Sequence, residues 1–329
     1  MEDKNIVIVS KETSQKVKSG FLWIFSNQIV NNKELTKKVC VVKIYDVLKN
    51  YLGVGVYNPH SLIAVRILSY NKNVVFDKNF FVENISKAIE YRLKLGFDTR
   101  YCRICYGESD FLPGLIIDRY NDVLVLQFYS AGMELFVNEI IETLIQLFNP
   151  TNIVFRNDFS LRKYENVEEY SRIVYSTKKL EEHILINHLD KKFYVDVFKG
   201  QKTGFYYDQK SNRKYLSQIV KDKSVLDLCC YTGAFSIIAK NFGAKNVLGV
   251  DSSKEAINLA IENAKINDLD IEFIESDVGD FIRTNKNKYD VILFDPPSYC
   301  KSKKDKIKSI KKYVKICSKL IELLNRDGV

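Results

Sequence analysis

Residues 225–251 contain the pattern that most narrows the folds open to this chain: VLDLCCYTGAFSIIAKNFGAKNVLGVD. The apolar run Val225–Leu228 predicts a buried strand, and a turn of small residues and the start of a helix follow it. A second apolar run, Asn246–Val250, ends in Asp251. Strand, small-residue turn, helix and a strand that ends in an acid form the nucleotide-binding half of a doubly wound α/β sheet. We therefore expect residues 225–251 to form the ligand-binding unit on which the function depends.

The turn of this unit suits a nucleoside ligand that lacks a pyrophosphate. It has one glycine, Gly233, where a dinucleotide-binding loop has three. Asp251, at the end of the second strand, is expected to accept hydrogen bonds from ribose hydroxyls. S-adenosylmethionine (SAM) therefore fits this pattern better than NAD. The alternative is a βαβ unit that binds no ligand.

The overall composition is that of a globular protein with more than one domain. The chain has 329 residues, of which 46% are apolar and 28% charged, and two or three domains are typical of this length. Its N-terminal apolar run is short and lies beside two acids, so we expect no signal peptide. No apolar run in the sequence approaches the length of a membrane span. Seven cysteines, an odd number, indicate reduced thiols in the cytoplasm.

The net charge of +9 is concentrated in one stretch. Residues 300–319 contain nine lysines and one acid, Asp305, so this stretch carries eight of the nine net charges. A solvated lysine-rich face is one explanation. Because the stretch directly follows a candidate active-site loop, its placement favours contacts with a phosphate backbone.

Two further regions precede the α/β unit. Residues 1–70 contain several short strand-like runs separated by turn residues, which predict a small β-barrel or sandwich. Trp23, the only tryptophan, is expected in the core or at a domain contact, with a nucleobase contact as the alternative. Residues 71–178 mix helix and strand patterns and predict an α+β domain, which leaves 179–329 for the α/β domain.

Neither the cysteine pair nor the histidines of this part of the chain predict a site. Cys102 and Cys105 are spaced like metal ligands, but a structural zinc site needs four ligands and no second pair has a suitable spacing. His183 and His188 flank a strand-like run, on opposite faces, and receive no chemical role.

Polar segments on both sides of the central unit complete the candidate site. The segment 199–213, KGQKTGFYYDQKSNR, breaks any periodicity and is rich in aromatic residues, so a cofactor lid or floor is favoured over a linker. A third strand, Ile271–Ile274, is followed by Asp277, near the expected place of a nucleobase. A fourth strand, Tyr289–Phe294, ends in the rigid sequence DPPSY, where chemistry occurs in open α/β sheets.

The chain resembles the bacterial class I SAM-dependent 23S ribosomal RNA cytosine-C5 methyltransferases that carry an N-terminal PUA domain. Nearly the whole chain takes part. LWIFSNQI and GVGVYNPHSLIAVRIL resemble the PUA portion, YGESDFLPGLIIDRYNDVLVLQ the middle domain, and QKTGFYYDQ, VLDLCCYTGAFS and FDPPSY the catalytic domain. The resemblance implies a PUA-like β-barrel at 1–70, a mixed α+β middle domain at 71–178 and a Rossmann-like SAM methyltransferase domain at 179–329.

The resemblance also assigns roles to individual residues. The cofactor site would comprise Gln201, Phe205, Asp208, Asp227, Tyr231, Thr232, Gly233, Asp251, Ser252, Asp277 and Val278. The catalytic loop would comprise Asp295, Pro296 and Pro297, with Asp295 hydrogen-bonded to the target cytosine. The RNA-binding lysines would be Lys301, Lys303, Lys304, Lys308, Lys311 and Lys312. SAM is then the cofactor, no metal is expected, and the partner is structured 23S ribosomal RNA with an unpaired or flipped cytosine.

The reaction of this family needs a cysteine. Addition of a thiolate to C6 of cytosine activates C5 towards the methyl group, and the family's nucleophile lies in a Ser-Cys-Ser stretch at the end of the fifth sheet strand. The sequence given ends at LLNRDGV, which resembles the turn before that strand, so we expect a truncated chain with an incomplete sheet and the nucleophile beyond Val329. Cys229 and Cys230 lie at the cofactor turn, Cys317 is expected to be buried in a helix, and Cys300 is a weaker candidate.

Two other functions remain open at this point. An amino-group methyltransferase acting on adenine or guanine uses a similar acid-Pro-Pro-aromatic loop, although Ser298 displaces the aromatic residue by one position. A non-catalytic RNA-binding protein could retain the SAM-site residues for folding alone. Neither the modified nucleotide nor the oligomeric state follows from the sequence, and a homodimer is one option.

Overall fold

The computed structural model describes residues 5–300 and 303–329, which divide into two compact units. The first unit contains the described residues up to His183 together with Asp196–Phe205, and the second contains Ile184–Val195 and Tyr206–Val329. Lys301, one of the predicted RNA contacts, lies outside the described residues. In the described ranges, every helix is too short or too polar to cross a membrane.

The first unit begins with a five-stranded sheet. Its elements are β1 (Ile6–Val9), α1 (Lys11–Lys18), β2 (Trp23–Ile24), β3 (Cys40–Asp46), β4 (Tyr51–Tyr57) and β5 (Val65–Ser69). The strand order is β1-β3-β4-β5-β2, and only the β1–β3 pair is parallel. Ser10 caps α1 by accepting from the Thr13 amide. The predicted β-rich N-terminal domain is confirmed.

A second sheet with two covering helices follows in the same unit. Its elements are α2 (Lys78–Lys94), β6 (Tyr101–Tyr106), β7 (Leu115–Tyr120), β8 (Val123–Phe128), α3 (Val137–Phe148), β9 (Asn152–Asn157) and β10 (Tyr170–Ser176). The strand order is β10-β9-β8-β7-β6. Apolar side chains such as Phe81, Ile117 and Leu126 form the core. Residues that alternate with the core residues, Asp118 among them, point to the other face.

The edge strands β6 and β10 were not predicted. β6 contains Cys102 and Cys105, whose side chains are buried. No cluster of potential metal ligands occurs among the residues that the structure describes.

The second unit is built on a parallel sheet. Its elements are β11 (Ile184–His188), β12 (Lys191–Val195), α4 (Lys210–Leu216), β13 (Ser224–Leu228), α5 (Ala234–Asn241), β14 (Asn246–Asp251), α6 (Lys254–Lys265), β15 (Glu272–Glu275), α7 (Val278–Thr284), β16 (Val291–Phe294) and α8 (Lys306–Glu322). The order β15-β14-β13-β16 is parallel throughout. The chain therefore changes direction across the sheet between β13 and β16, the switch point at which such sheets bind ligands. The predicted Rossmann-like α/β class is confirmed.

The outer edge of β16 is partly paired. The Ile292 amide donates to the Val329 carbonyl at 2.8 Å, and the Val329 amide donates to the Asp290 carbonyl at 2.9 Å. Further along, the Tyr289 amide donates to the Leu323 carbonyl. The first half of this edge is thus hydrogen-bonded by Val329.

Candidate cofactor and substrate site

Asp227 lies near the carboxyl end of β13 and is buried. Its Oδ2 accepts two hydrogen bonds from Ser236, from the amide at 3.0 Å and from the hydroxyl at 2.6 Å. Burial raises the pKa of Asp227 to about 7, although the Ser236 hydrogen bonds act in the opposite direction. This carboxyl group therefore changes charge near neutral pH.

The turn that follows β13 forces the backbone into left-handed conformations. The φ angles are 61° at Cys229, 49° at Tyr231 and 78° at Gly233. A Cβ at Gly233 would lie 3.0 Å from Phe273 Cζ and 3.1 Å from the Ala260 side chain, so both the conformation and the close approach need glycine there. The turn therefore packs closely against α6 and the neighbouring strand β15.

Asp251, at the end of β14, connects this turn to α6. Its Oδ2 accepts from the Tyr231 amide at 2.9 Å, and its Oδ1 accepts from the Ser253 amide at 2.9 Å. Each carboxylate oxygen can accept a further hydrogen bond. A pair of ribose hydroxyls is a chemically suitable donor for this position, and the predicted Ser252 lies beside it, exposed.

Asp277 and Val278 follow β15 at the start of α7. The Asp277 side chain caps this helix, because its Oδ1 accepts from the amides of Gly279 and Asp280. Val278 is buried. One oxygen of the predicted adenine-binding carboxylate is therefore already used by the helix cap.

The loop after β16 carries the exposed Asp295. Its Oδ2 accepts from the Gln209 side-chain amide at 2.9 Å, so the QKTGFYYDQ motif and the DPPSY motif meet at this point. The prolines of the loop, Pro296 and Pro297, come directly after the acid. Tyr299 is held on α8, where Ser309 Oγ donates to its carbonyl at 2.9 Å.

Arg213, on α4, is a central residue of this unit that no sequence pattern predicted. It is buried, its Nη1 donates to the Tyr206 carbonyl at 2.9 Å, and the same nitrogen lies 3.2 Å from His188 Nε2. Because arginine only donates, His188 Nε2 must be the acceptor. Burial lowers the pKa of Arg213 to about 10, while Asp208, Asp227 and Asp295 act to raise it. The only sequence signal was a basic residue inside an aperiodic motif.

The electrostatic surroundings of the turn suit a positively charged ligand. Burial raises the pKa of Cys229 to about 12, and Asp251, Asp227, Asp295 and Asp277 add to this effect. These four carboxylates therefore surround one turn. A nucleoside that carries a sulfonium cation fits such a group of carboxylates.

All seven cysteines lie within the described residues, and two of them, Cys229 and Cys230, lie at this turn. Burial raises the pKa of both Cys229 and Cys230. Cys300 is exposed beyond the DPPSY loop. Cys317 lies in α8 as predicted, but the prediction that it is buried is wrong: the helix presents it to solvent.

The remaining predicted residues are distributed as follows. Tyr231 packs edge-on against Tyr206, with ring centroids 5.6 Å apart, and the Thr232 carbonyl accepts from Asn263. Asp208 lies in a 3₁₀ turn of the second unit, whereas Gln201 and Phe205 lie in the first unit. The predicted lysines Lys304, Lys308, Lys311 and Lys312 are exposed, and of Lys303 only the backbone is described.

Comparisons with known proteins agree with this geometry. A PUA-like domain model matches residues 7–70, and the model of the S-adenosylmethionine-dependent methyltransferases matches residues 124–329. The ribosomal RNA large subunit methyltransferase I of Tolumonas auensis is 34% identical over 331 residues, covering 98% of this chain and 83% of that protein.

Two solved structures share the fold. A candidate SAM-dependent methyltransferase from Streptococcus mutans superposes with a TM-score of 0.81 at 23% identity, over 98% of this chain and 84% of that one. A candidate methyltransferase complexed with SAH superposes with a TM-score of 0.82 at 23% identity, with the same coverage.

Proposed function

We propose that this chain, which belongs to the family of S-adenosylmethionine-dependent methyltransferases, transfers a methyl group from SAM to RNA of the large ribosomal subunit. The observation that carries the proposal is the carboxyl edge of the parallel sheet, where Asp227, Asp251 and Asp295 gather around a left-handed turn. A PUA-like sheet in the same chain supports RNA as the substrate. The name of the Tolumonas relative supports the large ribosomal subunit.

SAM would be held by residues of the turn and of the neighbouring strand ends. It supplies an electrophilic methyl group on a sulfonium. Asp251 would accept from the ribose, Asp277 and Val278 would contact the adenine, and the turn at Tyr231–Gly233 would contact the methionine part. Gln201, Phe205 and Asp208 complete the proposed cofactor residues. The exposed lysines of α8 would contact the RNA backbone, and we place the reaction in the cytoplasm.

The target atom in this proposal is C5 of a cytosine in 23S ribosomal RNA. Asp295 is exposed at the switch point and already accepts from Gln209, so it can accept from the exocyclic amine of a flipped cytosine. Pro296 and Pro297 would keep the loop rigid while the base is held.

The nucleophile in this proposal is the cysteine of the family's Ser-Cys-Ser stretch. The residues up to Val329 already pair with the outer edge of β16. A parallel continuation of that pairing would lead towards the Asp295 loop, where a thiolate is needed. Cys300 is the weaker alternative, because it is exposed beyond the loop.

The amino-group alternative predicts that the aromatic residue of the loop stacks on the target base. In the structure, Lys312 Nζ lies 3.9 Å from the Tyr299 ring centroid, and the Tyr313 ring lies at 4.8 Å. With these neighbours the ring is engaged with α8, which counts against an amino-group methyltransferase. A non-catalytic RNA-binding protein remains the other alternative.

Calorimetry with SAM, followed by transfer of labelled methyl groups to unmodified 23S ribosomal RNA, tests the proposal. Unmodified 16S ribosomal RNA is the matched control, and mass spectrometry of the digested product identifies the base. We expect micromolar SAM binding by the chain as given and methyl transfer by a chain extended through the family's Ser-Cys-Ser stretch. Absence of SAM binding would exclude both enzymatic functions, and label on adenine or guanine would exclude cytosine C5.

A further inference from the structure

The polar face of the second sheet in the first unit is covered by a short segment, Asp196–Phe205. This segment contains the QKTGF part of the motif assigned above to the cofactor site. Three side chains that fasten it, Asp118 and Tyr120 on β7 and Thr203 in the segment, have no exposed surface. A polar cluster this deeply buried is retained only when its hydrogen bonds are satisfied.

The hydrogen bonds of this cluster form a chain with one possible direction. Thr203 Oγ1 lies 2.5 Å from Asp118 Oδ2, and because a carboxylate only accepts, the threonine hydroxyl is the donor. The Thr203 oxygen then accepts from the Tyr120 hydroxyl at 2.9 Å, and the Tyr120 oxygen accepts from the Phe205 amide at 3.1 Å. Arg103 completes the chain with a bidentate pair of 2.8 Å contacts to Asp118.

A second fastening holds the start of the same segment. Arg156, on β9, donates to the Val197 carbonyl at 3.0 Å and to the Gly200 carbonyl at 2.7 Å. Its guanidinium is buried and also pairs with Asp158. Both ends of the segment are therefore fixed to neighbouring strands by charged or hydroxyl side chains rather than by apolar packing alone.

The residue after this segment belongs to the second unit. Tyr206 follows Phe205 directly, its ring packs on Tyr231 of the cofactor turn, and its carbonyl accepts from Arg213. Gln209, three residues further on, donates to Asp295. The fastened segment and these site residues are therefore adjacent along the chain.

We propose that the segment Asp196–Phe205 is a strap whose fastening to the middle domain positions the cofactor-site residues that follow it, with Asp118, Tyr120 and Thr203 as positioning residues. This inference rests on the proposed function, because it assumes that the site binds SAM. In this proposal the middle domain has a role, because β7 anchors the segment just before the motif continues into the second unit.

The test compares two substitutions that each remove one buried threonine hydroxyl from the first unit. Thr203→Val breaks the strap. Thr143→Val is the matched control, because Thr143 is equally buried on α3 and donates only to the Lys78 carbonyl. SAM affinity is measured by calorimetry, and hydrogen exchange of the Phe205 amide is measured without SAM. Tyr120→Phe removes the Tyr120 hydroxyl, which is the next member of the same series of hydrogen bonds. It is the second variant if Thr203→Val does not fold.

Thr203→Val should weaken SAM binding about tenfold, since a hydrogen bond to a charged acceptor is lost. It should also speed exchange of the Phe205 amide, while Thr143→Val leaves both quantities near wild type. Equal SAM affinities for the two variants would overturn the positioning role, and unchanged Phe205 exchange would overturn the strap itself. If the wild-type protein binds no SAM, the proposed function fails, and the exchange measurement still decides whether the segment is fastened as described.

Discussion

At the scale of single residues, the buried cation Arg213 and the buried acid Asp227 depend on each other. Arg213 lowers the pKa of Asp227, and Asp227 raises that of Arg213, although burial dominates both values. Arg213 also contacts the Phe235 ring, with its guanidinium carbon 5.2 Å from the ring centroid. In the second unit, no other described arginine or lysine is buried. Among the described residues of the second unit, Arg213 is therefore the one buried cation that can offset the charge of Asp227.

Replacement of Arg213 by methionine should destabilise the protein by about 3 kcal/mol, because His188 and the Tyr206 carbonyl lose a buried charged donor. Arg213→Lys, which keeps the charge but not the planar fork, should recover part of this loss. Urea unfolding measures both. The control is Arg283→Met, whose side chain is 72% exposed and whose loss should stay within about 0.5 kcal/mol. Equal losses for Arg213→Met and Arg283→Met would contradict the role assigned to Arg213.

Asp227 should make stability depend on pH near neutrality. Folding raises its pKa from 3.8 to about 7, so between these values the folded protein keeps a proton that the unfolded chain releases. Its contribution to stability therefore falls as the pH rises from about 4 to 7. Asp227→Asn, which stays neutral, should gain in stability relative to wild type as thermal unfolding is followed from pH 5 to 8.

Asp290→Asn is the control for this titration. Hydrogen bonds from Ser224 and Asn325 lower the pKa of Asp290 to about 2, so this group is ionised throughout that range. Its substitution should shift the melting temperature by the same amount at each pH. A flat difference between Asp227→Asn and wild type would show that Asp227 is charged in the folded state at pH 5.

At the scale of elements, α8 joins the lysine-rich stretch to the catalytic loop. Ser309 binds the Tyr299 carbonyl, Lys312 lies over the ring, and Tyr313 packs beside it. Gln209 holds the other end of the loop at Asp295. The helix whose lysines are proposed to contact the RNA therefore also fixes the loop that is proposed to hold the target base, and a cation–π contact of this kind adds to the fixation.

Lys308→Met and Lys312→Met should separate these two roles. Both residues are exposed on α8, but only Lys312 contacts Tyr299. Each substitution should weaken RNA binding and reduce the slope of log affinity against log salt by about one. In the chain extended through the Ser-Cys-Ser stretch, only Lys312→Met should also lower kcat, by about tenfold, because the loop shifts. Filter binding at several salt concentrations and single-turnover kinetics measure these quantities, and equal kcat values would refute the coupling.

At the scale of the whole molecule, the two sheets of the first unit are joined by buried polar contacts. Glu165 accepts from Asn58 at 3.0 Å, from Ser61 at 2.6 Å and from Arg66 at 2.9 Å. Trp23 makes a second link, because its indole nitrogen donates to Glu108 at 2.7 Å. This confirms the domain contact expected for Trp23. Such contacts orient the PUA-like sheet, since a buried carboxylate with several donors tolerates few arrangements.

Glu165→Gln should destabilise the first unit by about 3–5 kcal/mol, because Arg66 is left buried without its counter-charge. Unfolding in urea can be followed by the fluorescence of Trp23, the only tryptophan, which lies at the same junction. As the control, Glu168→Gln changes an exposed acid three residues after Glu165 and should have little effect on the free energy of unfolding. Similar midpoints for the two variants would mean that Glu165 does not hold the two sheets together.

The sequence by itself determined the parts of this protein that depend on local patterns. Apolar runs of strand length and the single Gly233 predicted the parallel sheet and its turn, because strand periodicity and left-handed turn positions are properties of a few adjacent residues. The same local character placed Asp251 and Asp295 at strand ends, where the carboxyl edge of a parallel sheet gathers them.

Only the tertiary structure decided which distant residues meet. The Arg213–His188 contact joins residues 25 apart, and the Thr203–Asp118 contact joins residues 85 apart. The periodicity of apolar residues in a sequence does not predict such pairs. They depend on how whole elements pack and on which buried polar groups then need partners. Exposure of Cys317 was missed for the same reason, because the apolar face that a helix buries is set by its neighbours. The central turn, Tyr231–Gly233, was thus predictable from the sequence, whereas the buried Arg213 and the strap Asp196–Phe205 were not.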